Sequence, residues 1–283
     1  MLAHRRARAC RRTRSGGVRA TVAAVHDPGP EVEIELLELS SRRADHDVGD
    51  RLSVAGLSVR YGNRVVVRDV TLRVGPGEVV VLLGHNGCGK SSTLRAIVGL
   101  AGRQGGDVVV EGRDLTEVPS ANRAAGVGFV PATDEVFVDL TVQENLVLAA
   151  GRPRDRAVID ERVATALAQF DGLRRLLPRR AGTLSGGERR LVGIAMGLMA
   201  DPHLLLLDEP TKHLAPATAA GIMATVATLA RRLRLGVLVA EVNVAAALQV
   251  ADRVYVMRSG EIRAEHTGAE LLAAGPRSWW SMF

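Results

Sequence analysis

The residues Gly84-His85-Asn86-Gly87-Cys88-Gly89-Lys90-Ser91 match the spacing G-x-x-x-x-G-K-[ST], with an apolar run, Val79 to Leu83, before them and a helical pattern after. Glycines let the backbone fold closely around phosphate oxygens, and the following helix turns unpaired N–H groups and a partial positive charge on the anion. In this reading Lys90 bridges the β- and γ-phosphates of a nucleoside triphosphate, and the Ser91 hydroxyl ligates Mg2+. Ser92, next in the helix's first turn, belongs to the same phosphate-side group. A second segment, Leu204-Leu205-Leu206-Leu207-Asp208-Glu209-Pro210, reads as a buried strand delivering two acids to the ligand-binding edge of an open α/β sheet. Asp208 is suited to the Mg2+ shell, and Glu209 to orienting or deprotonating an attacking water as general base.

These groups need a frame to hold them. From Arg51 onward, β-rich runs at Leu52 to Tyr61, Val65 to Val74 and Val108 to Glu111 are broken by Gly-Asn, Gly-Pro-Gly and Gly-Gly-Asp, the punctuation of a small antiparallel sheet. Buried-strand patterns follow at Glu78 to Leu83, Val127 to Pro131, Leu204 to Asp208, Gly236 to Ala240 and Arg253 to Met257. Helical patterns at Gly89 to Leu100, Thr141 to Ala150, Val158 to Phe170, Gly186 to Ala200 and Pro216 to Leu233 lie between them. Alternating strands and helices predict an α/β fold with a mostly parallel sheet covered on both faces. Thr141 and Glu144 predict a capping box, and the strand-free stretch of about 132–200 predicts an inserted helical subdomain.

A third segment, Leu184-Ser185-Gly186-Gly187-Glu188, narrows the class. With it the chain resembles the nucleotide-binding subunit of ATP-binding cassette (ABC) transporters, and the resemblance runs from about Arg51 to about Leu272. It implies a P-loop NTPase core that binds and hydrolyses ATP with Mg2+ to drive transport through separate transmembrane permease subunits. It also implies a second ABC ATPase subunit, as homo- or heterodimer, and a solute-binding protein. Ser185, Gly186, Gly187 and Glu188 would act on ATP held by the partner's P-loop, again through a glycine-rich helix N-terminus. Tyr61, in Val59-Arg60-Tyr61-Gly62, matches the aromatic that stacks on adenine in the family. Thr211 to Pro216 (TKHLAP), the run from Leu140 to Leu146, and Ala251 to Leu272 are similar to the branched-chain amino acid importer group, and within it to the smaller of two paired ATPase subunits.

Two family positions differ. The loop after Pro131 offers Ala132 where the family has Gln or Glu, with Asp134 and Glu135 nearby, and the switch histidine after the strand Val237 to Ala240 gives way to Glu241-Val242-Asn243. Loss of one transition-state donor costs on the order of 3 kcal/mol. The expectation is competent Mg-ATP binding with slow hydrolysis at this chain's own site. The alternative is a degenerate cassette that binds ATP with little hydrolysis and supports a catalytic partner. Cys88, where small residues are usual, is expected to pack as a small hydrophobe.

Composition sets the outer limits. The chain has 283 residues, 47% of them hydrophobic, enough to bury a core. The longest uncharged apolar stretch, Leu191 to Ala200, is about half a bilayer crossing. Cys10 and Cys88 suggest neither a disulfide framework nor a zinc site, which suits a reduced setting and, with the resemblance, a peripheral place on the cytoplasmic membrane face. Seven arginines fall in residues 1–19, leaving 30 basic against 31 acidic residues elsewhere, so the net charge of +6 does not point to nucleic acid. Residues 1–50 are expected to form a disordered arm, and 51–283 the ATP-binding domain.

Overall fold

A computed structural model describes residues 49–115, 126–133, 135–151, 156–170, 172–276 and 279. All but Gly49 and Asp50 of the expected N-terminal arm, and Asp134, lie outside these residues. In chain order the strands are β1 (Leu52–Tyr61), β2 (Arg64–Val74), β3 (Val79–Leu83), β4 (Arg103–Val110), β5 (Arg113–Asp114), β6 (Val127–Val130), β7 (Leu204–Asp208), β8 (Gly236–Glu241), β9 (Arg253–Arg258) and β10 (Glu261–Thr267). They form a four-stranded antiparallel sheet, β2-β1-β4-β5, and a six-stranded sheet, β10-β9-β3-β8-β7-β6, parallel except for the β9–β10 pair. This is the expected α/β architecture with its smaller antiparallel sheet.

Strand β4 starts earlier than the sequence pattern suggests, at Arg103, because Gly105-Gly106 is accommodated inside it. Gly106 has φ 87°, and a Cβ there would collide with the backbone of Gly56 on β1, so Gly106 is the point of close approach that only glycine permits.

Parity divides the central strands between two cores. Val79, Val81, Leu83, Leu205, Leu207, Val237 and Val239 face one apolar cluster, whereas Val80, Leu82, Leu204, Leu206, Leu238 and Ala240 face another. A sheet buried on both faces calls for continuous apolar runs, which is how Val79–Leu83 and Leu204–Leu207 read. The second cluster also takes in Leu94, Ala96 and Ile97 of α1 (Lys90–Ile97) together with residues of β1 and β2, so α1 is clamped between the two sheets.

Between β6 and β7 the described residues hold α2 (Val142–Ala149), α3 (Arg156–Leu167) and α4 (Gly186–Leu198), with two short 3-10 turns. Then come α5 (Pro216–Leu233), α6 (Val244–Leu248) and α7 (Gly268–Ala274). Thr141 caps α2 with the reciprocal Thr141–Glu144 box read from the sequence. One turn further in, the fully buried Asn145 accepts from Phe137 N–H at 2.7 Å and donates to the carbonyls of Phe137 at 3.0 Å and Thr141 at 2.9 Å.

Replacement of Asn145 by Ala strands the Phe137 amide, at about 1–3 kcal/mol where it is buried, and removes donors from the Thr141 and Phe137 carbonyls, the latter keeping the Leu140 N–H at 3.1 Å. Asn145→Ala is therefore expected to lower unfolding free energy by about 3 kcal/mol, read as a lower urea midpoint with an unchanged slope. An unchanged midpoint would show that water replaces the side chain.

Candidate functional site

The carboxyl ends of four adjacent parallel strands meet on one edge. The register pairs Leu83 with Glu241, Asp208 with Ala240 and Val130 with Leu207, so the phosphate loop, both acids of the second segment, Glu241 and the Pro131–Ala132 loop all leave the sheet side by side. At this edge the chain turns from β3 into α1 through Gly84 to Gly89. A Cβ on Gly84 would collide with the Met257 carbonyl and the Cys88 sulfur, while Gly89 sits at φ 119° as the N-cap of α1 and has no side chain to satisfy the helix's first amides. That helix start carries Lys90, Ser91 and Ser92, whose N–H groups lack helical partners by geometry. His85, Asn86 and Gly87 are exposed on the loop. Cys88 is buried in the apolar cluster, as expected of a small hydrophobe.

Lys90 is nearly buried and its ammonium donates to the Gly84 carbonyl at 2.7 Å and the His85 carbonyl at 3.0 Å. The charge thus stands inside the curve of the loop, where a phosphate oxygen would replace carbonyl partners of lower charge.

Asp208 is 1% exposed at the end of β7, and its Oδ1 accepts from the Ser91 hydroxyl at 2.7 Å. Its Oδ2 is buried without a hydrogen-bond partner. Burial pushes the Asp208 carboxyl above the usual range, and the neighbouring Glu209 charge adds to this, against a partial offset from the Ser91 bond. A hydroxyl and a half-satisfied carboxylate side by side are hard oxygen donors of the kind Mg2+ takes. The residues therefore fit the ion, and the orphaned oxygen is the observation that says so.

Glu209 follows at φ 47°, with its N–H on the Ala240 carbonyl at 2.8 Å. Its carboxylate forms an ion pair with Lys212 at 2.6 Å. The turn bearing both is tied down by Glu241, which is buried: Oε1 accepts from Thr211 N–H at 2.8 Å and its hydroxyl at 2.7 Å, and Oε2 from the amides of Val242 at 2.9 Å and Asn243 at 3.0 Å. Lys212 and the Glu241 hub escaped the sequence reading. Their signals were one lysine three residues past Glu209, and a lone acid closing an apolar strand.

The remaining site residues lie further out. Ser185 and Gly186 are exposed, and Gly187 and Glu188 partly so, at the start of α4. Ser185 forms a capping box with Glu188, whose carboxyl is held below the usual range by the Ser185 N–H and hydroxyl. Tyr61 is half exposed at the end of β1. A cleft of about 840 Å3 beside the phosphate loop is lined by Asn63, Arg64, Val66, His85, Asn86 and Gly87 among others, and Tyr61 is not among its walls. Ala132 and Pro131 present their carbonyls to Arg190 of α4, at 3.4 and 3.2 Å, so the loop's tether is a backbone contact from the helix that begins at Ser185. Val242 is exposed, and its amide is already taken by Glu241.

A raised carboxyl pKa in the fold means that the folded chain binds Asp208's proton more tightly than the unfolded chain does. Asp208's share of stability is therefore present below the ordinary aspartate range and lost as pH rises through the folded value. Asp208→Asn is expected to raise the melting temperature of the nucleotide-free protein near neutral pH and to abolish the further rise on adding Mg-ATP. A scan in which the variant still responds to Mg-ATP would remove Asp208 from the metal site.

Comparison with known proteins gives the family. A family model described as ABC transporter matches residues 67–212. The chain is 37% identical over 222 residues to the probable branched-chain amino acid transport ATP-binding protein LivF of Archaeoglobus fulgidus, spanning 78% of this chain and 94% of that one. It is 36% identical over 223 residues to the lipopolysaccharide export system ATP-binding protein LptB of Haemophilus influenzae, spanning 78% and 92%. A solved structure of the ADP conformation of an ATP-binding cassette of an ABC transporter superposes with a TM-score of 0.72 at 28% identity, over 81% of this chain and 96% of that one. These likenesses give the degenerate-cassette alternative no support. Cassettes of the family work with transmembrane permease subunits and dimerise. The chain belongs to the ABC transporter family and is the ATP-binding, ATP-hydrolysing subunit of a transporter, with Mg2+ as its cofactor.

Proposed function

We propose that this subunit powers import of branched-chain amino acids or related small polar solutes, from the cytoplasmic face of the membrane, bound to permease subunits and paired with a second cassette. A solute-binding protein on the far side completes the assembly. Among the described residues no helix is long and apolar enough to cross a membrane, which suits a peripheral subunit. The observation that carries the ATPase assignment is the meeting of Lys90, Ser91, Asp208 and Glu209 on one sheet edge, with one Asp208 oxygen left for a cation. The solute class is supported by the likeness to LivF. The likeness to LptB favours a second reading, a subunit of an export system.

The residues divide the work by their chemistry. Lys90 and the first amides of α1 hold the β- and γ-phosphates, and Tyr61 offers its ring to adenine. Ser91 and Asp208 would hold Mg2+, whose charge would offset that of the phosphate oxygens. Glu209 accepts a proton from the attacking water. Ser185 and Gly187 serve the partner's nucleotide, which accords with the exposure of Ser185 and the partial exposure of Gly187 at a helix start.

Phe137 and Val138 are exposed apolar side chains just past the Ala132 loop, and Asn145 fixes the Phe137 backbone. An exposed apolar pair on a braced segment suits a permease contact. Phe137→Asp combined with Val138→Asp is expected to reduce co-purification with the neighbouring permeases at least tenfold while Mg-ATP affinity stays within twofold. Full co-purification would move the contact elsewhere. Reconstitution decides the solute: ATP turnover in proteoliposomes should rise with a branched-chain amino acid and its binding protein, and a response to lipopolysaccharide instead would establish the export reading.

A further inference from the structure

We infer that Lys212 is a positioning residue for ATP hydrolysis: it orients Glu209 and fills the place left by the missing donor at Val242. The inference rests on the reading of Glu209 as general base. In that step Glu209 takes a proton from water, the water oxygen bonds to the γ-phosphorus, and the bond from that phosphorus to the β–γ bridging oxygen breaks, leaving ADP. The carboxylate must face the water for this to occur, and a misplacement of about 1 Å costs on the order of a hundredfold in rate. In this chain the residue after Glu241 is an exposed valine with neither donor nor acceptor on its side chain. What does reach Glu209 is the Lys212 ammonium, at 2.6 Å from Oε2.

An ion pair three residues apart on a surface is ordinarily worth little, because two long side chains must be held for one contact. Here both partners are fixed by their backbones. The Glu209 amide is bonded to Ala240 on β8, Lys212 N–H closes the turn on the Glu209 carbonyl at 3.1 Å, and Thr211 between them is buried and held twice by Glu241. The Glu209 side chain is 12% exposed and that of Lys212 37%, so the contact is partly shielded, with the ammonium on the solvent side. The type of cation is also informative. Of 37 lysines and arginines only Lys90 and Lys212 are lysine, and both stand at this site. An ammonium is a compact charge that contacts one carboxylate oxygen, whereas a guanidinium would tend to occupy both and block the proton acceptor.

The test uses the full chain and four variants, with ATP turnover at saturating Mg-ATP and ATP affinity by calorimetry as separate readouts. Glu209→Gln checks the base itself: if it hydrolyses ATP at the parent rate, the base assignment falls, whatever Lys212 does. With that variant inactive, Lys212→Ala is expected to lower kcat about tenfold to a hundredfold with affinity within twofold, and Lys212→Arg to fall with it. Lys212→Ala combined with Val242→His is expected to recover at least threefold of the lost kcat, because a donor returns from the switch side. Unchanged or raised kcat in Lys212→Ala overturns the inference, as does a double variant that binds ATP normally and recovers nothing. Independently of activity, a zero-length carbodiimide should join the Glu209 and Lys212 side chains in the nucleotide-free chain, seen as a linked peptide by mass spectrometry. Absence of that link under conditions that label other carboxylates also overturns the pairing.

Discussion

Asp208 carries a charge that its surroundings satisfy on one side only. At the end of a strand buried along its whole length, one carboxylate oxygen accepts from Ser91 and the other meets no donor. A buried charge without partners is among the costliest things a fold can keep, and burial accordingly pushes this carboxyl upward. The sheet supplies enough apolar contact on both faces to hold it there, and the deficit leaves an oxygen that a cation would satisfy. Ligands that bind only the folded chain stabilise it in proportion to their affinity. On the proposed reading, Mg-ATP bound at Asp208 would return part of the stability withheld in its absence.

The parallel register spreads that single constraint over the whole edge. Leu83 and Glu241 end level, Asp208 one residue short of them and Val130 one short of Asp208, so a shift in any one strand displaces the others' loops. Glu241 is the brace. It takes two donors from Thr211 and two amides from Val242 and Asn243, joining the turn after Glu209 to the loop after β8. A buried carboxylate with four donors is satisfied, unlike its neighbour Asp208. The contrast separates the acid that holds the frame from the acid left with an open oxygen.

How much of this was legible in the sequence follows from which interactions are local. Gly84 to Ser91 and Leu204 to Pro210 announce themselves because turn, helix start and buried strand each leave a contiguous pattern, and the Thr141–Glu144 box spans a single turn. The central strands were readable because a sheet covered on both faces forbids polar alternation. Arg190 was not readable: its role is to bond carbonyls of Pro131 and Ala132, nearly sixty residues away, and nothing in its neighbours marks it. Glu241 was noted only for the residue beside it. The early start of β4 was hidden by two glycines, which disfavour strands in general; the second, Gly106, is required here by the approach of Gly56.

The signature segment shows the same electrostatic logic from the giving side. The start of α4 already holds an anion of its own, since Glu188 receives the Ser185 N–H at 2.9 Å and the Ser185 hydroxyl at 2.9 Å. A γ-phosphate from another molecule would thus meet a serine hydroxyl that must turn away from Glu188, exchanging one charge-assisted bond for another at little net gain. The gain has to come from amides that the capping box leaves open, and Gly187 lies among them within the first turn. A Cβ at Gly187 would press on the Thr218 methyl of α5, at 2.6 Å, so its small size serves packing as well as access. The helix start is held in shape by its own glutamate, and an incoming phosphate would have to replace only part of that hold.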